Sequence, residues 1–88
     1  MPFQFDPKKA ASNLRRHGVS LADAEGVCLD PLALQQADPD AEGEERFIAV
    51  GSGSAGNVLV VVYTLRGEEI RLISARRAAR REVKDYES

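Results

Sequence analysis

Residues 58–87, VLVVVYTLRGEEIRLISARRAARREVKDYE, decide the architecture. The run from Val58 to Val62 has no polar position, so it reads as a central strand covered on both sides, extending to Thr64. Arg66-Gly67 supplies a turn and Glu69 to Ser74 a second strand, so an antiparallel connection is the economical one. Ala75, Ala79, Val83 and Tyr86 then recur at helical spacing, which predicts a helix over 75–86. Upstream, Arg46 to Val50 reads as another strand, and Leu32 to Ala37 as a weak one. Gly51-Ser52-Gly53-Ser54-Ala55-Gly56 joins two strands, lacks a following Lys-Ser/Thr and precedes no helix, so it reads as a hairpin turn rather than a phosphate loop.

Working back to the start, Phe3-Gln4-Phe5 alternates in the strand period with both rings on one face. Asp6-Pro7 reads as an N-cap followed by proline at the first helical position, and Gly18 is placed to end that helix near His17. Ser20 starts a second helix that buries Leu21, Ala24, Val27 and Cys28, and Asp30-Pro31 stops it. Asp38 to Glu45 is acidic, holds Pro39 and Gly43, and reads as an exposed loop. The expected fold is α+β: a single-layer, mainly antiparallel sheet packed by two N-terminal helices and one C-terminal helix, in one domain spanning residues 1–88.

Composition narrows the function. The chain has 88 residues, of which 43% are hydrophobic and 30% charged, so it is globular with a small core and has no room for a two-lobed cofactor enzyme. One cysteine excludes an internal disulfide and a cysteine-based zinc site, and one histidine excludes a His-rich metal site. No cofactor is expected. No run approaches the ~20 apolar residues that span a bilayer, and no basic-then-apolar leader opens the chain, so the expected location is the cytoplasm.

The net charge of −2 hides an uneven distribution. Residues 1–22 carry four bases and one acid, residues 23–45 eight acids and no base, and residues 46–88 eight bases and five acids. The sharpest cluster is Arg71, Arg76, Arg77, Arg80 and Arg81. On a helix beginning at Ala75, Arg76 would stack on Arg80 and Arg77 on Arg81, and bases in the first turn would oppose the helix dipole. An anion bound there would turn that cost into a gain. The bland reading is a solvated face partly neutralised by Glu82, Asp85 and the acidic loop.

His17 ends the first helix, where the dipole favours it, and its unperturbed pKa near 6.5 also suits proton transfer or phosphate contact. Lys9 lies two turns earlier on the same helix. Arg46, after Glu45, presents a fork of donors at a strand end or pairs with a neighbouring carboxylate. Glu82 could pair with Arg46 or Arg76 or act as a base, and Cys28 reads as a core thiol. The loop acids lack the ordered spacing of a metal cage, so no metal site is expected. Lys9, His17, Arg46, Arg76 and Arg80 with one carboxylate would make a metal-free phosphodiester site for RNA, whose 2′-OH supplies the nucleophile. The rivals are a nucleic-acid-binding module and a protein-interaction module, both built on the arginine helix.

The residues Phe3-x-Phe5-Asp6-x-x-Lys9-x-x-x-Asn13-x-x-Arg16-His17-Gly18-Val19-Ser20, Ala24, Asp30-Pro31, Glu45-Arg46 and Arg71-Leu72-Ile73-Ser74-Ala75-Arg76-x-Ala78-x-x-x-Glu82-x-x-x-Tyr86 closely resemble the BrnT toxins. The resemblance implies a RelE-like ribonuclease that inhibits translation, the toxin half of a bacterial type II toxin–antitoxin pair. It implies a BrnA-like antitoxin with a ribbon-helix-helix DNA-binding part as partner, RNA as substrate, contact with operator DNA only through the antitoxin, and room for a homodimer within the complex. Carried across residue by residue, it implies catalytic roles for Lys9, His17, Arg46, Arg76 and Glu82, and substrate-binding roles for Glu45, Arg71 and Tyr86; Arg77 and Arg80 join the expected substrate-binding set from the arginine cluster. Phe5 stands where the family commonly has tryptophan, and Cys28 where phenylalanine is usual.

Overall fold

A computed structural model describes residues 2–88. The elements run β1 (Phe3–Gln4), α1 (Pro7–His17), α2 (Leu21–Leu29), β2 (Leu34–Ala37), β3 (Phe47–Ser52), β4 (Val58–Arg66), β5 (Glu69–Arg77) and α3 (Arg80–Glu87). The strands form a five-stranded sheet in the order β1-β5-β4-β3-β2, in which only the β1–β5 pair is parallel. As its unbroken apolar run required, β4 is the central strand.

The helix ends follow their sequence signals. The Asp6 side chain accepts from the Lys8 N–H at 2.9 Å with Pro7 in the first turn, and the Gly18 N–H donates to the Leu14 carbonyl at 2.9 Å. Gly18 holds a φ of 69°, which a side-chain-bearing residue adopts only with strain. Ser20 caps α2 through the Ala22 N–H at 3.2 Å.

Helices α1 and α2 cover one face of the sheet. Ala49, Leu59, Val61, Tyr63, Leu72 and Ala75 project from that face and join Leu21, Ala24 and Val27 of α2 in the core. Phe3 and Phe5 pack against the edge of the same cluster, as does the half-buried Cys28. Burial, with Glu25 nearby, pushes the Cys28 thiol up to about 11, which makes it a packing group rather than a nucleophile. Helix α3 crosses the opposite face toward β3. Among the described residues no helix is long and apolar enough to cross a membrane.

The main correction concerns residues 75–79, which are not helical. Strand β5 continues to Arg77, with Val61 opposite Ala75, Val60 opposite Arg76 and Leu59 opposite Arg77, and the Ala78 N–H donates to the Val58 carbonyl at 3.0 Å. A helix from Ala75 would have left the Val58 carbonyl and the β5-facing N–H and C=O of Val60 without partners beside the core. Arg76 and Arg77 therefore lie on a strand, and the expected arginine stacks along one helix do not form. The helix starts five residues late, where Glu82 turns back to accept from the Ala79 N–H at 2.7 Å. At the other boundaries, β1 stops at Gln4, β2 starts at Leu34, and β3 starts at Phe47 rather than Arg46.

A bulge re-phases β5. Val62 faces Ser74 and Tyr63 faces Leu72, so Ile73 has no residue opposite it. Strict alternation from Ile70 and Leu72 would have turned Ser74 inward. The extra residue buries Ala75 instead and turns Ser74 and Arg76 to the face that α3 crosses, where Arg71 already lies.

Asn13 ties α1 to this strand. Its Nδ2 donates to the carbonyl oxygens of Val19 at 2.9 Å and Ala75 at 2.8 Å, and its Oδ1 accepts from the Ala75 N–H at 3.1 Å. The carboxamide thus pairs with the edge of β5 as another strand would. Asn13→Ala is expected to destabilise the protein by about 2–4 kcal/mol in urea unfolding, because buried main-chain groups lose their partner. Asn13→Asp should not rescue it, since a carboxylate cannot donate to the two carbonyls.

Helix α2 meets the β3–β4 turn just as closely. A Cβ on Gly26 would lie 2.4 Å from the Ser54 nitrogen, which itself donates to the Asp23 carbonyl at 2.9 Å. Gly26→Ala should therefore cost about 1–3 kcal/mol despite its gain in helix propensity. An unchanged urea midpoint would contradict this packing.

Candidate nucleic-acid interface

Strand β5 collects the basic residues from both ends of the chain. On α1, Lys9, Ser12, Arg16 and His17 line an open concavity of about 150 Å³ against Ile73 and Ser74 of β5. Two residues further along that strand is Arg76, on the same face as Ser74. Lys9, Arg16, His17, Arg76 and Arg77 are all exposed. Asn13 lies in the wall of the concavity, so its clamp also sets how closely the Lys9 and His17 side approaches the strand.

Arg76 is held from α3. Its Nη1 and Nη2 donate to the two Glu82 carboxylate oxygens at 2.8 and 2.9 Å, and Nη1 also donates to the Arg77 carbonyl at 3.3 Å. The pair is bidentate, which fixes the guanidinium plane as well as its position. Hydrogen bonding from Arg76, then from the Ala79 N–H, pulls the Glu82 carboxyl down to about 2, and the same pairing raises Arg76. Near neutral pH Glu82 is therefore a very weak base, whose geometry suits it to orienting Arg76.

The remaining expected site residues are dispersed. Arg71 borders a depression with Phe3, Phe5 and Asp6 at the β1 edge. Arg77 lies beside Gly18, Asp23 and Asn57 on the helix-covered side. Arg80 is exposed in the first turn of α3. Glu45 and Arg46 line a separate hollow with Ala37, Asp38 and Glu44 in the acidic loop. The Glu45 carbonyl accepts from Thr64 Oγ1 at 2.6 Å, and the Arg46 carbonyl accepts from the Asp38 N–H at 2.8 Å, so the backbone of both residues anchors the loop.

Tyr86 has a structural partner. Its hydroxyl donates to Asp30 Oδ2, which also accepts from the Ser52 N–H at 2.9 Å, while Asp30 Oδ1 accepts from the Leu32 N–H at 2.9 Å. Those bonds, led by Ser52, hold the Asp30 carboxyl below its ordinary value, and Asp30 in turn raises Tyr86. Asp30 thus bolts the end of α2 to β3 and to the last turn of α3. The sequence reading gave Asn13 no role and Asp30 only that of ending α2 together with Pro31. A carboxamide inside a helix, where asparagine is a poor former, was the available signal for the first.

The depressed Glu82 carboxyl has a signed consequence. Stability from the pair is present above the ordinary carboxylate range and is lost as pH falls through about 2. A carboxyl-detected NMR titration should place the Glu82 midpoint near 2, and Arg76→Ala should return it toward the ordinary range. An unshifted midpoint in the wild type would show that the pair does not persist in solution.

A family profile described as "Ribonuclease toxin, BrnT, of type II toxin-antitoxin system" matches residues 5–82. The crystal structure of the Brucella abortus ribonuclease toxin BrnT superposes with a TM-score of 0.69 at 24% identity, covering 91% of this chain and 99% of that one. At that identity the likeness speaks to the fold, whose three helices and mixed five-stranded sheet it shares. No curated protein sequence matches the chain. With the profile spanning nearly its whole length, the chain belongs to the BrnT family of ribonuclease toxins of type II toxin–antitoxin systems.

Proposed function

We propose that this protein is a metal-independent endoribonuclease that cleaves RNA by attack of the 2′-OH on the adjacent phosphate. The observation that carries the reading is the meeting of α1 and β5, where Lys9, Arg16 and His17 share a concavity with Ser74, two residues from Arg76. His17 or Lys9 takes part in proton transfer. The 2′-oxygen bonds to phosphorus, the 5′-oxygen leaves with a proton, and the products are a 2′,3′-cyclic phosphate and a 5′-hydroxyl. Arg76, oriented by Glu82, faces the negative charge that grows on the equatorial oxygens. Arg71, Arg77 and Arg80 contact flanking phosphates, whereas Arg46, in the acidic-loop hollow, takes no part in this path. Glu45 and Tyr86 shape the fold around the site.

A toxin acting this way degrades messages in the cytoplasm and inhibits translation. Its cognate antitoxin is of the BrnA-like ribbon-helix-helix type and brings the complex, with one or two toxin copies, to operator DNA.

The test is cleavage of a structured and an unstructured RNA in excess EDTA. Wild type should cut both, leaving cyclic phosphate ends, and should leave DNA intact because DNA lacks the 2′-OH. Arg76→Ala and His17→Ala should each slow cleavage about 100-fold or more. Glu82→Gln should slow it less, since Arg76 keeps its charge and loses only its orientation. RNA binding without cleavage by the wild type, or equal rates in the Arg76 variant, would sink the mechanism.

A further inference from the structure

The edge of the sheet far from the basic concavity is unusually bare. Strand β2 is the terminal strand beside β3, all four of its residues are exposed, and its sequence Leu34-Gln35-Gln36-Ala37 carries no charge and no proline. Edge strands are usually protected by lysine, proline or a bulge, and here shortness alone does that work. Because the Asp38 N–H donates to the Arg46 carbonyl at 2.8 Å, the ladder bonds of β2 fall at Asp38, Gln36 and Leu34. The N–H and C=O of Gln35 and Ala37 therefore point away from the sheet.

Apolar surface and charge lie beside this edge. Leu29, Leu32 and Leu34 are 67%, 72% and 47% exposed. Leu34 continues inward into a groove of about 240 Å³ floored by Ile48 and Val50 and walled by Glu82 and Asp85 of α3. Beyond Ala37, the segment Asp38 to Glu45 holds five acids and no base. RNA would be repelled here, and a second copy would bring another acidic loop to the same edge. A chain that adds to this edge must be extended, apolar at alternate positions and basic at its flanks.

We propose that β2 is the docking edge for the cognate antitoxin, which supplies an extended basic segment as a sixth strand and sets alternate apolar side chains into the Leu34–Ile48–Val50 groove. The inference rests on the toxin reading above. The groove ends on Glu82, whose carboxylate holds Arg76, so an antitoxin seated there touches the catalytic pair without covering the α1–β5 concavity.

Binding of the full-length antitoxin is measured by calorimetry against wild type, Leu34→Lys and Ala37→Pro, with RNA cleavage by each free toxin in parallel. Ala37→Pro removes an N–H that the sheet does not use, and Leu34→Lys puts a base into the groove. Both variants should melt with the wild type, cleave RNA at its rate, and bind antitoxin at least about tenfold more weakly. Wild-type affinity should fall as salt rises. Affinity within about twofold of wild type in both variants would overturn the proposal. So would a wild-type dimer that Ala37→Pro makes monomeric, which would assign the edge to a second copy, or loss of RNA cleavage with antitoxin binding intact. Failure of the wild type to cleave RNA would count against the toxin mechanism and leave the binding comparison readable.

Discussion

Three hydrogen bonds made by one carboxamide hold α1 against the far half of β5. Asn13 sits inside α1, yet its side chain pairs with both main-chain groups of Ala75 and with the Val19 carbonyl. Strand β1 pairs with β5 only at Ile70 and Arg71, so the far half of β5 would otherwise present a free edge next to the core. The asparagine closes that edge with a helix instead of another strand. The same bonds press the face that carries Lys9 and His17 against Ser74. A chain with a small core gains from such a contact, since each secured main-chain group is a larger share of the total.

The charge distribution is organised around the same contact. The basic first segment and the arginine-rich last segment meet across α1 and β5, whereas most of the acidic middle runs out to β2 and its loop. A net charge near zero is thus the sum of two opposed surfaces, one suited to phosphate and one to a basic partner. The bidentate Arg76–Glu82 pair stands between them, with Arg76 on the strand that borders the basic concavity and Glu82 on the wall of the β2 groove. In the proposed scheme that ion pair is the one contact shared by the RNA surface and the antitoxin edge.

Much of the fold was legible in the sequence because its signals are local. Asp6-Pro7, Gly18 and Ser20 mark helix boundaries by capping chemistry, and the apolar run of β4 marks the central strand. The end of β5 was not legible. Ala75, Ala79, Val83 and Tyr86 have true helical spacing, but the backbone partners waiting on β4 override it as far as Ala78, and the bulge at Ile73 hides the alternation that would have exposed the strand. The candidate site was legible as a set of residue types. Its geometry was not, because Arg76 belongs to a strand, Tyr86 is engaged by Asp30, and Glu45 and Arg46 lie on the acidic side.

The central claim is that both ends of the chain build one RNA-binding surface along β5. Amide and side-chain NMR shifts on adding a 2′-O-methyl RNA oligonucleotide, which cannot be cleaved by 2′-OH attack, test it most directly. Shifts concentrated at Lys9, Arg16, His17, Ser74, Arg76 and Arg77 are the predicted result. Shifts confined to residues 34–45, or the same pattern retained in Arg76→Ala with unchanged affinity, would contradict it.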